Sequence, residues 1–147
     1  MFREAHAVWK DGPYSGKGTV STPSGVLSNA SYVFGLAETT ASTTPGEMLA
    51  AAVASSMSTM VALKMAKLGA KPSAVNTRAV ITVDDSGDRW QLTALRLEIT
   101  VQTLDPAIAC LEEAVTEARR DCPIVSELNL DVTCTANLAP LEISIAA

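Results

Sequence analysis

The chain is poor in the residues from which metal centres, nucleic-acid surfaces and hydrolase sites are usually built. In 147 residues there is one histidine, His6, three cysteines, and only two tyrosines and two phenylalanines besides two tryptophans. A structural zinc site needs about four His or Cys ligands at close spacing. Cys110, Cys122 and Cys134 form no C-x-x-C pair, so metal binding is not expected. The odd number also argues for thiols in a reducing compartment rather than disulfide staples. With 16 acidic against 11 basic residues the net charge is −5, which leaves no basic stripe or stacking platform for nucleic acid. The opening "MFREAHAVWKDG" is charged and has no apolar run of signal-peptide length, so a cytoplasmic protein is expected. The uncharged run between Glu47 and Lys64 falls short of the roughly 20 apolar residues that span a bilayer, so no membrane partner is expected.

Two motif-like stretches fail on spacing. In "GPYSGKGT" a phosphate loop would need glycine where Asp11 stands and Ser or Thr where Gly18 stands. Ser55 and Ser56 lie in mid-helix without the flanking glycines of a nucleophile elbow. His6, in a probable strand, reads as a half-buried structural residue rather than the base of a Ser–His pair.

What is present is a chain 48% hydrophobic, long enough for one domain, residues 1–147, with a real core. "EAHAVWK", "GKGTVSTPSGVL" and "ASYVFGLA" are β-prone pieces around turn signals, a small meander. Thr44-Pro45-Gly46-Glu47 then combines a hydroxyl N-cap, Pro at the first helical position and Glu closing a capping box. The helix it opens runs for about 23 residues, with Leu49, Val53, Ser56, Met60, Leu63 and Lys67 at helical spacing and Gly69 and Pro72 at its stop. Uncharged nearly all round, it should be buried on most sides, which usually takes a second chain. "AVNTRAVITVDD" and "WQLTALRLEITVQT" alternate around "DSGD" as an antiparallel hairpin whose solvent face carries Arg96 and Glu98. An amphipathic helix follows, with Asp105 as cap, Pro106 at the first position and Ile108, Leu111, Val115 and Ala118 on one face. A short helical piece restarts after Cys122-Pro123, and "LDVTCTANL" closes the chain as a last strand. The order predicts an α+β domain.

Three stretches taken together, "GKGTVSTPSGVLSNASYVF", "TPGEMLAAAVASSMSTMVALKMAKLG" and "DCPIVSELNLDVT", resemble the OsmC/Ohr family of thiol-dependent hydroperoxide reductases, nearer its OsmC branch. The resemblance implies an OsmC-like fold: antiparallel sheets with a long buried central helix, in an intertwined homodimer. It implies no cofactor. It also implies a peroxidatic cysteine on the long helix, an arginine before it that stabilises the thiolate, a glutamate at the helix start that holds the arginine, and a resolving cysteine in a C-P motif. The partners implied are an organic hydroperoxide and a dithiol reductant. The chemistry needs a thiolate as nucleophile and a cation to lower its pKa, and a second thiol to capture the sulfenic acid.

Residue by residue, Glu47 matches the glutamate and Cys122-Pro123 the resolving motif. The family's "A-H-A-x-C-F" falls on Ala52-Val53-Ala54-Ser55-Ser56-Met57, which puts Ser56 in the peroxidatic position. The arginine position aligns with Ala37, and no arginine occurs between Arg3 and Arg78. A serine has no sulfenic state, and an arginine without its anionic partner is costly to bury, so the two losses are coherent. Glu47 then keeps a capping role, and Ser56 is expected to bond the Ala52 carbonyl one turn back.

Three readings stand together at this point. The first is a family member without thiol-peroxidase activity that binds a hydrophobic molecule in the old interface pocket. The second is a reductase that uses Cys122, and the third is a Cys→Ser trap of an ordinary enzyme. Val53 and the missing arginine speak against the trap. Against the second, Cys110 lies twelve residues before Cys122 in one helical segment, roughly 18 Å away, where a disulfide needs about 5.5 Å between α-carbons.

Overall fold

A computed structural model describes residues 1–13, 15–34, 41–85, 89–104 and 108–139. Its contacts divide the chain into two compact units, Met1–Leu49 and Ala50–Ala147.

The first unit contains the expected meander: β1 (His6–Lys10), β2 (Lys17–Ser21) and β3 (Ala30–Tyr32) form an antiparallel sheet in that order. Gly18 faces Tyr32 across the β2–β3 pair, and a Cβ on Gly18 would stand 2.3 Å from the Tyr32 ring, so only glycine admits that ring. Tyr32 in turn stacks at a tilt on Trp9, centroids 5.6 Å apart. His6 starts β1 and is exposed, not half-buried as the strand pattern suggested.

The long helix α1 spans Pro45–Lys67, 23 residues, and it opens in the first unit and continues through the second. Its stop follows the sequence signal. Gly69 takes a left-handed φ of +85°, and the amides of Gly69 and Ala70 bond back to Ala66 and Met65. By length and composition α1 would also be able to cross a membrane, a property that the shorter uncharged run alone did not reveal. Within the chain only one strip of it is buried, made by Val53, Met57, Val61, Lys64 and Met65. The burial on most sides expected of this helix is not seen within one chain. Leu63 is 53% exposed and Lys67 is exposed, while Met57 and Val61 are fully buried. A helix apolar on every side carries no periodicity that singles out one face, so its packing partners make the choice.

Those partners lie in the second unit. β4 (Pro72–Asp84) and β5 (Gln91–Thr103) form the long antiparallel hairpin. The centre of its turn, residues 86–88, lies outside the described residues. β5 alternates: Leu95, Leu97, Ile99 and Val101 are buried, and Arg96 and Glu98 face outward as expected. After β5 come α2 (Ile108–Asp121), α3 (Pro123–Glu127) and β6 (Asp131–Ala139). The proposed cap Asp105 and Pro106 lie outside the described residues. β6 pairs with β5 in parallel, giving a sheet of order β4-β5-β6. The expectation of wholly antiparallel sheets is therefore corrected. Two helices between β5 and β6 make a crossover, which returns the chain to the same end of the sheet, whereas antiparallel neighbours need only a hairpin. Leu111, Ala114, Val115 and Ala118 of α2 join the β5 row and the α1 strip in one hydrophobic core.

Candidate functional site

The middle of α1 meets the α2–α3 junction through one polar contact. Ser56 Oγ lies 3.2 Å from Cys122 Sγ, and either can donate. Cys122 is fully buried and Ser56 half-buried. Local sequence explains how Cys122 is held. Its amide closes the last turn of α2 on the Ala118 carbonyl at 2.8 Å, and its own carbonyl accepts from Ser126 at 2.9 Å. Pro123 at the start of α3 disfavours helical backbone at the residue before it, so Cys122 adopts an extended conformation (φ −72°, ψ 114°) and α2 breaks there. The break carries the chain from one helix to the next with the thiol aimed inward.

Ser56 does not make the back-bond expected of it. The Ala52 carbonyl accepts instead from exposed Ser55, at 3.1 Å. The two adjacent serines thus divide the roles. Ser55 satisfies itself within the helix, while Ser56 reaches across to a residue 66 positions away.

Two turns further along α1, Lys64 is 7% exposed and ion-paired with Asp121 and, at 3.2 Å, with Glu117, both on α2. Asp121 also accepts from Arg120 at 2.8 Å. The Arg120 guanidinium, and then the Lys64 ammonium, hold the Asp121 carboxyl far below its usual range. Asp121, and then Glu117, raise Lys64. This clamp ties α1 to the residue immediately before Cys122. Sequence reading missed it, although a lone charge closing an uncharged helical run was a signal that it is paired when buried.

Glu47 sits in the first turn of α1. Its Oε2 accepts from the Thr44 amide at 2.9 Å and the Thr43 hydroxyl at 3.0 Å, while Thr44 Oγ1 accepts from the Glu47 amide at 3.2 Å. This reciprocal pair is the capping box read from the sequence. Ala37, the aligned arginine position, lies outside the described residues.

The other two cysteines, Cys110 and Cys134, are half-buried free thiols. Cys110 lies in the first turn of α2 and Cys122 follows its last residue, so the uninterrupted helix separates them. Cys134 lies on β6 opposite Leu97, and burial pushes its thiol pKa up against the opposing pull of Arg119. Among the described residues no three His, Cys, Asp or Glu side chains come together as metal ligands.

The fold that brings this contact together is one that known structures share. An OsmC-like protein of Mycoplasma pneumoniae superposes with a TM-score of 0.78 at 11% identity, covering 95% of this chain and 98% of its own. An OsmC-like protein of unknown function from Vibrio cholerae does so at 0.78 and 19%, covering 93% and 99%. In sequence, peroxiredoxin OsmC of Escherichia coli (strain K12) is 31% identical over 136 residues, 90% of this chain and 94% of its own. The model of the OsmC-like protein family matches residues 38–137. The chain belongs to the OsmC-like family, whose relatives include peroxiredoxins and organic hydroperoxide resistance proteins.

Proposed function

We propose that this chain is a cytoplasmic, homodimeric OsmC-family protein that has given up two-cysteine peroxide reduction and binds a hydrophobic small molecule at the subunit interface. Ser56 occupies the peroxidatic position and Cys122 the resolving one. The observation that supports this most is the 3.2 Å contact between Ser56 Oγ and Cys122 Sγ. Residues matched to the family's two sulfurs by sequence meet in space, yet only one of them is sulfur. A hydroxyl cannot pass through a sulfenic state, so the step that would oxidise position 56 has no reactant. The absence of arginine between Arg3 and Arg78 fits the same reading, because no anionic thiolate needs a cation there. The apolar α1 surface left uncovered within one chain, including Leu63, supports a second copy and an apolar ligand against it.

Full burial of Cys122 argues against that thiol taking over the attack, since nucleophilic cysteines are partly exposed and electropositive in setting. The Glu47 bonds to Thr43 and Thr44 support a helix-capping role for this residue.

The test follows cumene hydroperoxide in the presence of the purified chain and a dithiol, with intact mass taken afterwards. The expected result is no peroxide loss beyond the dithiol background and no mass shift at Cys122. Native mass spectrometry of detergent-free protein is expected to show a dimer carrying an apolar ligand. Sustained turnover with oxidation mapped to Cys122 would overturn the proposal.

A further inference from the structure

On the second unit, a cleft of about 470 Å³ is lined by Thr116, Arg119 and Arg120 of α2, Val125 of α3, Leu128 and Leu130 between α3 and β6, and Val132 of β6. Neither Ser56 nor Cys122 is among its described lining residues, so it is separate from the contact above. Its volume falls within the roughly 300–1,000 Å³ of small-molecule sites.

The two arginines differ in how their charge is used. Arg120 is exposed and turned to Asp121, with contacts of 2.8 and 3.3 Å. Arg119 is half-buried and gives one N–H to the Val132 carbonyl at 3.2 Å. Among the described residues it has no ion-pair partner, and a guanidinium carries five N–H donors. Arg119 shares the lining of the cleft with the aliphatic Leu128, Leu130 and Val132, each only half-buried. One cation without an acidic partner beside a branched aliphatic wall suits a singly charged head on a hydrocarbon tail. Arg120, already shared with Asp121, leaves too little positive charge for a phosphate dianion. The Arg119 guanidinium also offsets the negative end of the α2 dipole, which would otherwise repel an anion.

We propose that this cleft binds a medium-chain aliphatic carboxylate, with the carboxylate accepting from Arg119 and the chain lying along Val125, Leu128, Leu130 and Val132. The proposal is independent of the loss of peroxide chemistry. It is read by binding at a cleft that the Ser56–Cys122 contact does not line.

Sodium decanoate titrated into the full chain by calorimetry, with 1-decanol as the neutral control, tests it. Saturable decanoate binding is expected, with amide signals of residues 119–132 moving in parallel nuclear magnetic resonance spectra. Decanol should bind at least about tenfold more weakly, and Arg119→Gln should weaken decanoate by about tenfold. Arg120→Gln, a surface change that leaves the Val132 bond intact, should weaken it a few-fold and decides the matter if Arg119→Gln fails to fold. Equal affinity for decanol and decanoate would overturn the proposal. So would the absence of saturation at millimolar decanoate, or an unchanged affinity in both variants.

Discussion

The first turn and the middle of α1 preserve different things. At the first turn Glu47 is bonded to Thr43 and Thr44, which gives it a structural occupation. At the middle Ser56 meets Cys122 at 3.2 Å, and on the proposed reading the hydroxyl stands where the family has a cysteine. If the proposed reading holds, the first turn keeps a residue and the middle keeps a contact without the reaction, and neither a matched residue nor a matched contact then suffices to assign an activity. Glu47 caps a helix start. Ser56 adjoins Met57 in sequence, and Met57, Ala118 and Cys122 share the core, which holds the Ser56–Cys122 approach in place.

The largest expected effect comes from placing a sulfur at position 56. In Ser56→Cys, one equivalent of peroxide should close a disulfide between position 56 and Cys122, read as a loss of two mass units. The two side-chain atoms already lie 3.2 Å apart, and an S–S bond of about 2.05 Å needs only a small approach. Adding Cys122→Ala should abolish the change. With no arginine supplied, the reaction should stay slow, since thiolate formation lacks its cation. If no disulfide forms under any oxidant, the contact is not a preserved redox geometry and the comparison breaks on that side.

How much of this was open to sequence reading differs by element. The ends of α1 were, because Thr44, Pro45, Glu47 and Gly69 act through bonds within a few residues of themselves. Its buried face was not, because Leu63 and Met57 are equally apolar and only the β5 row and α2 choose between them. The direction of β6 was hidden for a similar reason. An alternating strand looks the same in parallel and antiparallel pairing, and the α2–α3 crossover decides. Ser56 and Cys122, 66 positions apart, were brought together only by family resemblance. The Lys64 clamp was missed because a charge near a helix end reads as an ordinary solvated terminus.

That clamp sharpens the comparison, since it ties the same helix to Asp121, the neighbour of Cys122. Its pH dependence has two arms. Asp121 is held below its ordinary pKa, so its contribution is complete above about pH 3.9 and is lost as pH falls further. Lys64 is raised, so its contribution is complete below about pH 10.4 and is lost as pH climbs through the raised value. The difference in Tm between the chain and Lys64→Met should be constant near neutrality and shrink at both extremes. The acid arm should persist in part in the variant, because Arg120 still pairs with Asp121. Both side chains of that pair are partly exposed, so salt should flatten the acid arm. A difference that stays flat from acid to alkali would mean that the clamp contributes no pH-dependent stability.

The smallest effects are expected at the cap, where small size is itself the informative result. Thr44→Ala removes the hydroxyl that accepts the Glu47 amide and should cost about 1 kcal/mol. Glu47→Gln keeps an amide oxygen able to accept from Thr44 and loses only charge, so its cost should stay below about 0.5 kcal/mol. Neither variant should alter the response of Ser56→Cys to peroxide when combined with it. A Glu47→Gln that left thermal stability untouched but slowed disulfide closure at position 56 severalfold would return this carboxylate to chemistry. The first turn of α1 would then serve the same chemistry as its middle, rather than act as a helix cap alone.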